Sequence, residues 1–266
     1  MNIKQHLLTA LIGSVLLNGS AMATIIYTQP FDNETDQASM NILNNWGFAS
    51  SSGLAQDTSG RQFGRMSALA GQGGDPGFGY NYIQGNAASR ANVAWFAGDL
   101  EAPADAMSLA QSDLLSLSLR IGHANTGSQT RWLIRIDHEG TDNWFVSRDT
   151  YQMTTGIGAA DFETQNIGIG ADFVDLTWRP LLNNGTDQFD GGINGASEGF
   201  DIITSADNHA AVALPGGSIT ALGVYHWHSA DFVSTRFDDF TVTAIPEPGT
   251  LVLIALGCLL ILRRFR

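Results

Sequence analysis

Cysteine and lysine are almost missing from this sequence of 266 residues. The single cysteine, Cys258, lies in an apolar segment close to the C-terminus, so the rest of the chain cannot form an internal disulfide. Its stability must therefore come from a buried apolar core or from a bound metal ion. The single lysine, Lys4, lies near the N-terminus.

Positive charge is scarce as a whole, since 26 acidic residues stand against 13 basic ones. Four of the basic residues lie at the two chain ends, so the part between them carries 26 acidic and 9 basic residues, a net charge of −17. A surface of this charge repels nucleic acid and anionic lipid, which excludes nucleic acid as a partner. It suits an exported soluble protein or a protein that binds cations such as calcium.

Familiar catalytic motifs are also missing. The sequence has no Gly-x-Ser-x-Gly, no His-Glu-x-x-His and no phosphate-binding loop, and its six glutamates stand far apart. A retaining glycoside hydrolase needs two carboxyl groups about 5 to 5.5 Å apart, and no paired glutamate motif suggests such a site. We therefore expect that the protein is not an enzyme.

The C-terminal end has the pattern of a membrane-targeting segment. A Pro-Glu-Pro sequence precedes a predicted anchor helix over 250–262, whose apolar residues 251–262 would cover about 18 Å of a hydrocarbon core about 30 Å thick. The prolines prevent a helix from continuing upstream, and the terminal arginines favour the cytoplasmic side of the membrane. The residues expected to direct sorting are Pro246, Glu247, Pro248, Arg263, Arg264 and Arg266.

This arrangement, over residues 245–266, resembles the PEP-CTERM sorting signal of Gram-negative bacteria. The resemblance implies processing by an exosortase, a transient association with the inner membrane, and a final location at the cell surface or outside the cell. The N-terminal end agrees, because a lysine, an apolar run and the residues Ala21 and Ala23 form a signal peptide over residues 1–23 that signal peptidase can cleave. Residues 24–244 remain as one domain.

That domain has the pattern of an all-β protein. Short apolar stretches alternate with clusters of glycine, asparagine and aspartate, and the clearest predicted strands are 114–121, 132–137, 144–147, 173–178, 219–227 and 237–242. The second and third of these are predicted to form a hairpin joined by residues 138–143. Two packed sheets in a jelly-roll β-sandwich are the expected fold.

Three segments add a second resemblance. Phe31-Asp32, the hairpin that ends in Trp144-Phe145-Val146-Ser147, and the closing segment 236–242 look like concanavalin-like or galactose-binding-like jelly rolls. Such domains commonly bind carbohydrate and hold a structural calcium ion near paired chain ends. The resemblance implies calcium ligands among Asp32, Asp238 and Asp239, if the first and last strands are neighbours. Strand alternation would direct at most one of the last two aspartates into a given site.

Six tryptophans suggest a sugar-binding surface, because an exposed aromatic ring can stack on the apolar face of a pyranose. Trp46 and Trp95 lie beside polar or glycine-containing segments and are the predicted ligand-binding residues. The other four lie on predicted strands and are expected in the core. An exopolysaccharide is the corresponding partner.

Two histidines, His226 and His228, point to the same side of a predicted strand, as two metal ligands can.

The sequence leaves three hypotheses for the function of this protein. The main hypothesis is an exported structural or interaction protein of the cell surface or of the extracellular polysaccharide matrix. The alternatives are a carbohydrate-binding module and a metal-dependent hydrolase built on the two histidines.

Overall fold

The computed structural model describes thirteen parts of the chain, nearly all of them strands and the turns beside them. These parts are residues 24–29, 45–50, 65–67, 80–84, 90–100, 105–123, 128–151, 163–167, 177–183, 187–188, 203, 210–228 and 234–245. None of these parts contains a helix long and apolar enough to cross a membrane. The predicted signal peptide and sorting tail lie outside the described residues.

Fifteen strands are described, and most of them form two large sheets. The six-stranded sheet has the order β10 (Glu163–Ile167), β7 (Leu114–His123), β15 (Ser234–Ala244), β4 (Tyr80–Gln84) and β3 (Arg65–Ser67), with β1 (Thr24–Gln29) also paired to β15. The seven-stranded sheet has the order β11 (Trp178–Pro180), β9 (Thr141–Ser147), β8 (Ser128–His138), β14 (Ser218–His228), β5 (Arg90–Phe96) and β2 (Trp46–Ser50), with β6 (Leu109–Ala110) paired to β14. β12 (Leu182–Asn183) pairs with β13 (Asp187–Gln188).

The two large sheets pack face to face, which confirms the predicted all-β sandwich. The core between them takes alternate residues of facing strands, such as Leu119 and Ile121 from β7 and Ile134 and Ile136 from β8. Successive side chains point to opposite faces of a strand, so alternate residues share a face, and one face of each strand lies in the core. Burial of this apolar area, at roughly 25 cal/mol per Å², is the main stabilising contribution in a domain without disulfides.

The predicted hairpin is confirmed, with a shorter connection than expected. β8 and β9 pair from Leu133 opposite Val146 to His138 opposite Thr141, so the link is two residues instead of six. Both link residues, Glu139 and Gly140, have positive φ angles, of 53° and 79°. Two residues with positive φ form the tight turn whose twist matches that of an antiparallel pair.

The seven-stranded sheet is buried on both faces. Its outer face, which points away from the six-stranded sheet, carries a second apolar cluster that includes Trp95, Leu133 and Tyr225. Leu181 and Ile203 belong to this cluster, and both are completely buried. The outer face is therefore largely covered, and a ligand can reach only the parts of it that keep some exposure.

The first and last strands are neighbours, as the calcium hypothesis requires. β1 and β15 pair antiparallel from Thr24 opposite Ala244 to Gln29 opposite Phe240. Tyr27 of β1 also contacts the other sheet, since its ring stacks on that of Phe96 of β5 with centroids 4.1 Å apart. The pairing of β1 with β15 joins the first and last strands without a covalent link.

Candidate functional site

The two tryptophans predicted to bind ligand are both buried. Trp46 is 6% exposed and lies in the core between the sheets, where its Nε1 donates a hydrogen bond of 3.0 Å to the Tyr27 hydroxyl. Trp95 is 3% exposed and lies in the outer cluster. Neither ring has a free face on which a sugar could stack, so their burial argues against the predicted platform.

The position of Trp95 explains its burial. Its indole lies across Gly47 of the neighbouring strand, where a Cβ atom would overlap the ring. The ring meets Trp144 edge to face, with centroids 5.2 Å apart, and the guanidinium of Arg135 lies 5.3 Å from the centroid of Trp144. This packed stack forms part of the scaffold of the sheet.

Trp227 is the only one of the six tryptophans that stays partly exposed. It lies near the end of β14 on the outer face and packs against the outer cluster. Sequence reasoning had placed it in the core with Trp132, Trp144 and Trp178, and for those three the structure confirms burial. The pattern of apolar residues did not reveal the difference, because all four lie on strands.

Two residues flank Trp227 on the neighbouring strands, Ala91 on β5 and Gln129 on β8. Directly paired residues of an antiparallel sheet point to the same face, so Gln129 lies beside the indole on the outer face. Within the described residues, neither Gln129 Oε1 nor Trp227 Nε1 has a hydrogen-bond partner, although both atoms are buried. The site therefore presents two partly exposed residues, Trp227 and Gln129, whose indole nitrogen and amide oxygen are themselves buried.

The next residues along the same strands hold this site in place. Tyr225 is completely buried, and its hydroxyl oxygen accepts a hydrogen bond of 2.7 Å from the amide of Ile203. Arg131, which pairs with Tyr225, is 2% exposed and donates through Nη1 to the carbonyl oxygens of Ser147 and Arg148. These contacts hold Tyr225 and Arg131 in place beside Trp227 and Gln129 on the same face.

A second candidate region lies on the six-stranded sheet, where Arg120 contacts two aspartates. Its Nη1 lies 3.3 Å from Asp238 Oδ2 and 3.4 Å from Asp239 Oδ2. The amide of Asp239 also donates to Asp238 Oδ1 at 2.9 Å. Arg120 therefore provides a counter-charge for both carboxylates.

The expectation that these two aspartates point to opposite faces is wrong, and the backbone shows why. The pairing of β15 with β7 shifts register between Asp238 and Thr241, and Asp239 has a φ of 49°. This bulge adds a residue to β15, so Phe237 and Phe240 both enter the core while the two aspartates between them reach Arg120. The sequence contains no glycine there to indicate the bulge.

His226 lies inside the sandwich, with no exposed surface. Its ring meets Phe237 of the facing sheet edge to face, with centroids 6.2 Å apart. Nothing is described of the His228 side chain, and the described ranges contain no group of three His, Cys, Asp or Glu side chains that could hold a metal ion. The structure therefore does not bring a third ligand to the predicted histidine pair in the part it describes.

The remaining predicted site residues cannot be placed. Asp32 follows β1 by three residues and lies outside the described residues. The same holds for the predicted cleavage residues Ala21 and Ala23 and for every predicted sorting residue between 246 and 266.

Comparison with known proteins places the chain in no family, since no family model and no curated protein matches it. Among solved structures, one similar chain is the xylanase 10B fragment of Clostridium thermocellum with its CBM22-1 and GH10 modules, at 12% identity and a TM-score of 0.41. That match covers 84% of this chain but only 29% of the xylanase fragment. The family 11 carbohydrate-binding module of the same organism matches at 13% identity and a TM-score of 0.36, over 82% of this chain and 95% of the module. The K1 adhesin domain of Lys-gingipain from Porphyromonas gingivalis matches at 11% identity and a TM-score of 0.36, over 83% and 97%.

Proposed function

We propose that this protein is an exported binding module that holds carbohydrate at Trp227 and Gln129, on the outer face of a jelly-roll sandwich. The observation that supports it is the partial exposure of Trp227, the one residue among the six tryptophans that is not buried. The indole supplies an apolar surface for a pyranose ring, and Gln129, which is also partly exposed, is the polar residue beside it.

The charge of the domain limits the class of sugar. A net charge of −17 between the two chain ends repels uronic acids, sulfated sugars and other polyanions. Trp227 and Gln129 are themselves uncharged, so the proposed ligand is a neutral polysaccharide. Arg131 lies behind this site, and its guanidinium is occupied by the carbonyl oxygens of Ser147 and Arg148.

Affinity electrophoresis of the exported protein in gels that contain β-glucan, xylan or alginate tests this proposal. We expect retardation by at least one of the two neutral polymers and none by alginate. Replacing Trp227 with alanine should weaken the binding about 5- to 150-fold, taking as a guide the 1–3 kcal/mol that stacking of a base on one aromatic side chain is worth. Trp227→Phe should retain part of the binding, and Val212→Ala, at an exposed residue on another segment, should retain all of it.

The two other functions predict different results, one in the glycan-binding experiment and one in a measurement of metal content. If a broad panel of glycans shows no binding by the native protein, the carbohydrate proposal is wrong and a structural role in the matrix is favoured. A metal-dependent hydrolase requires bound metal, so the His226→Ala/His228→Ala variant would then lose its metal content. Equal metal content in that variant and in the native protein would exclude a centre at these residues.

Delivery to the cell surface is the other half of the proposal. An exosortase and a signal peptidase would process the two chain ends and release residues 24–244 into the polysaccharide matrix, which is the compartment where a glycan-binding domain meets its ligand. The patterns of residues 1–23 and 245–266 support this view.

A further inference from the structure

Three polar side chains form a row inside the sandwich, on the three central strands of the seven-stranded sheet. His226 of β14 pairs with Asn92 of β5 on one side and with Thr130 of β8 on the other. Directly paired residues share a face, so the three side chains lie next to one another. We call Asn92, His226 and Thr130 the polar row.

The polar row faces the core between the sheets. The residues two positions away on each strand, on the same face, are Ala94, Val224 and Trp132, and all three belong to that core. His226 also meets Phe237 of the opposite sheet. Asn92 and His226 are 0% exposed and Thr130 is 2% exposed, so bulk water does not reach the row.

Two residues of the polar row, Asn92 and Thr130, have side-chain atoms with no partner among the described residues. Within the described parts of the chain, Asn92 Oδ1, Asn92 Nδ2 and Thr130 Oγ1 are buried and have no hydrogen-bond partner. Buried polar atoms nearly always have a partner, which is either a protein group or an ordered water molecule. Three such atoms on two residues of the same row therefore indicate a bound polar species.

The chemistry of the row indicates which species this is. An amide, a hydroxyl and an imidazole provide neutral donors and acceptors, while none of the three carries the carboxylate that a calcium ion prefers. Internal water typically makes about three hydrogen bonds to buried polar groups of this kind. Thr130 lies close to the protein surface, since its backbone pairs with that of Tyr151, which is partly exposed.

We propose that the polar row binds ordered internal water, with at least one molecule shared by Asn92 and Thr130. This water site lies on the same three strands as the proposed sugar site but on the opposite face of the sheet. Ala91, Gln129 and Trp227 point outward, whereas the adjacent residues Asn92, Thr130 and His226 point inward. The water site does not depend on the sugar proposal.

A crystal structure of the native protein at high resolution tests the water site directly. We expect ordered water within about 3 Å of Asn92 Oδ1 or Nδ2 and of Thr130 Oγ1. In solution, magnetic relaxation dispersion should detect this water as long-lived, and the Asn92→Leu/Thr130→Val variant should lose that signal. Thr220→Val, on the outer face of the same sheet, should keep it.

Three results would overturn the proposal. They are a dry polar row in the native structure, a metal ion at the row with an anomalous signal, or direct hydrogen bonds from Asn92 to protein groups. If the double variant does not fold, the native crystal structure and the native relaxation signal still decide the matter. Loss of sugar binding in Trp227→Ala with the internal water retained would separate the two sites.

Discussion

His226 and Trp227 are adjacent in the sequence, and their side chains lie on opposite faces of the same sheet. His226 has no exposed surface and faces the opposite sheet, while Trp227 packs on the outer cluster and stays partly exposed. Strand alternation thus assigns neighbouring residues to different environments. It separates the histidine, which belongs to the interior polar row, from the tryptophan, which keeps some exposure on the outer face.

Gly223 is predicted to be essential for the central strand pair. A Cβ at this position would overlap the carbonyl oxygen of Ala94 and would lie 2.6 Å from the Cα of Trp95. Because both are backbone atoms of a paired strand, they cannot move aside without disturbing the sheet. We expect Gly223→Ala to lower the free energy of unfolding by about 3 kcal/mol, as measured by urea denaturation.

Gly216→Ala is the matched control for this change. A Cβ at Gly216 would have no atom within 4 Å, so its effect should stay within about 0.5 kcal/mol. Equal stability of the two variants would show that β14 and β5 do not approach as closely as described.

Asp238 and Asp239 are predicted to contribute unequally to stability. The Asp238 side chain is 3% exposed and that of Asp239 is 45% exposed, although both contact Arg120. We expect Asp238→Asn to cost about 2 kcal/mol, because it removes a charged hydrogen bond from a buried site. Asp239→Asn should cost less than about 1 kcal/mol, because solvent screens an exposed pair and asparagine tolerates a positive φ. Chemical denaturation measures the free energy of unfolding of both variants. A larger loss of stability in Asp239→Asn than in Asp238→Asn would contradict the described bulge.

Calcium at Asp32, Asp238 and Asp239 stays a prediction. If the ion is bound, a chelator should lower the melting temperature of the native protein, because a ligand of the folded state stabilises it. The drop should shrink in Asp239→Asn, which removes one proposed ligand. A melting temperature that is unaffected by chelation would leave Arg120 as the counter-charge of Asp238 and Asp239.

The raised pKa of Tyr27 predicts a loss of stability at alkaline pH. Burial raises the pKa of Tyr27 from 10.0 to about 12, and the hydrogen bond from Trp46 opposes part of this rise. The neutral form is therefore favoured in the folded state, and its contribution is complete below pH 10, where the unfolded tyrosine is also protonated. Between pH 10 and 12 the unfolded chain releases the proton first, so stability should fall by about 2 kcal/mol.

Tyr27→Phe isolates this effect, since phenylalanine keeps the ring that stacks on Phe96 and removes the titrating hydroxyl. Denaturation curves at pH 9, 10.5 and 11.5 should show a smaller decline in this variant than in the native protein. Parallel declines would mean that Tyr27 titrates normally.

The sorting proposal predicts a change of location without a change of fold. Replacing Pro246, Glu247 and Pro248 with alanine should leave an unprocessed precursor in the membrane fraction of the native host, because the processing enzyme no longer recognises it. Immunoblots of membrane and medium fractions measure this, with Val212→Ala as the control that is released normally. Unchanged release of the altered protein would refute the sorting function of this motif.

Local pattern was sufficient to predict several strands. The predicted strand 237–242 lies within β15, and 219–227 lies within β14, because apolar alternation depends on residues close together in the chain. The prediction at 173–178 overlaps β11 only at Trp178, where the described strand begins. At the start of β7, Leu114 is buried and Leu115 only partly so, since the pairing with β15 is irregular there.

The sequence by itself determined the all-β class, the β8–β9 hairpin and the acidic charge, since composition and short-range periodicity carry this information. Only the tertiary structure decided that Trp46 and Trp95 are buried while Trp227 is not, and that Asp238 and Asp239 meet the same arginine. Burial depends on residues that are distant in sequence, such as Ile203, which packs in the outer cluster with Trp95 and Tyr225. A bulge can also redirect neighbouring side chains without any signal in composition.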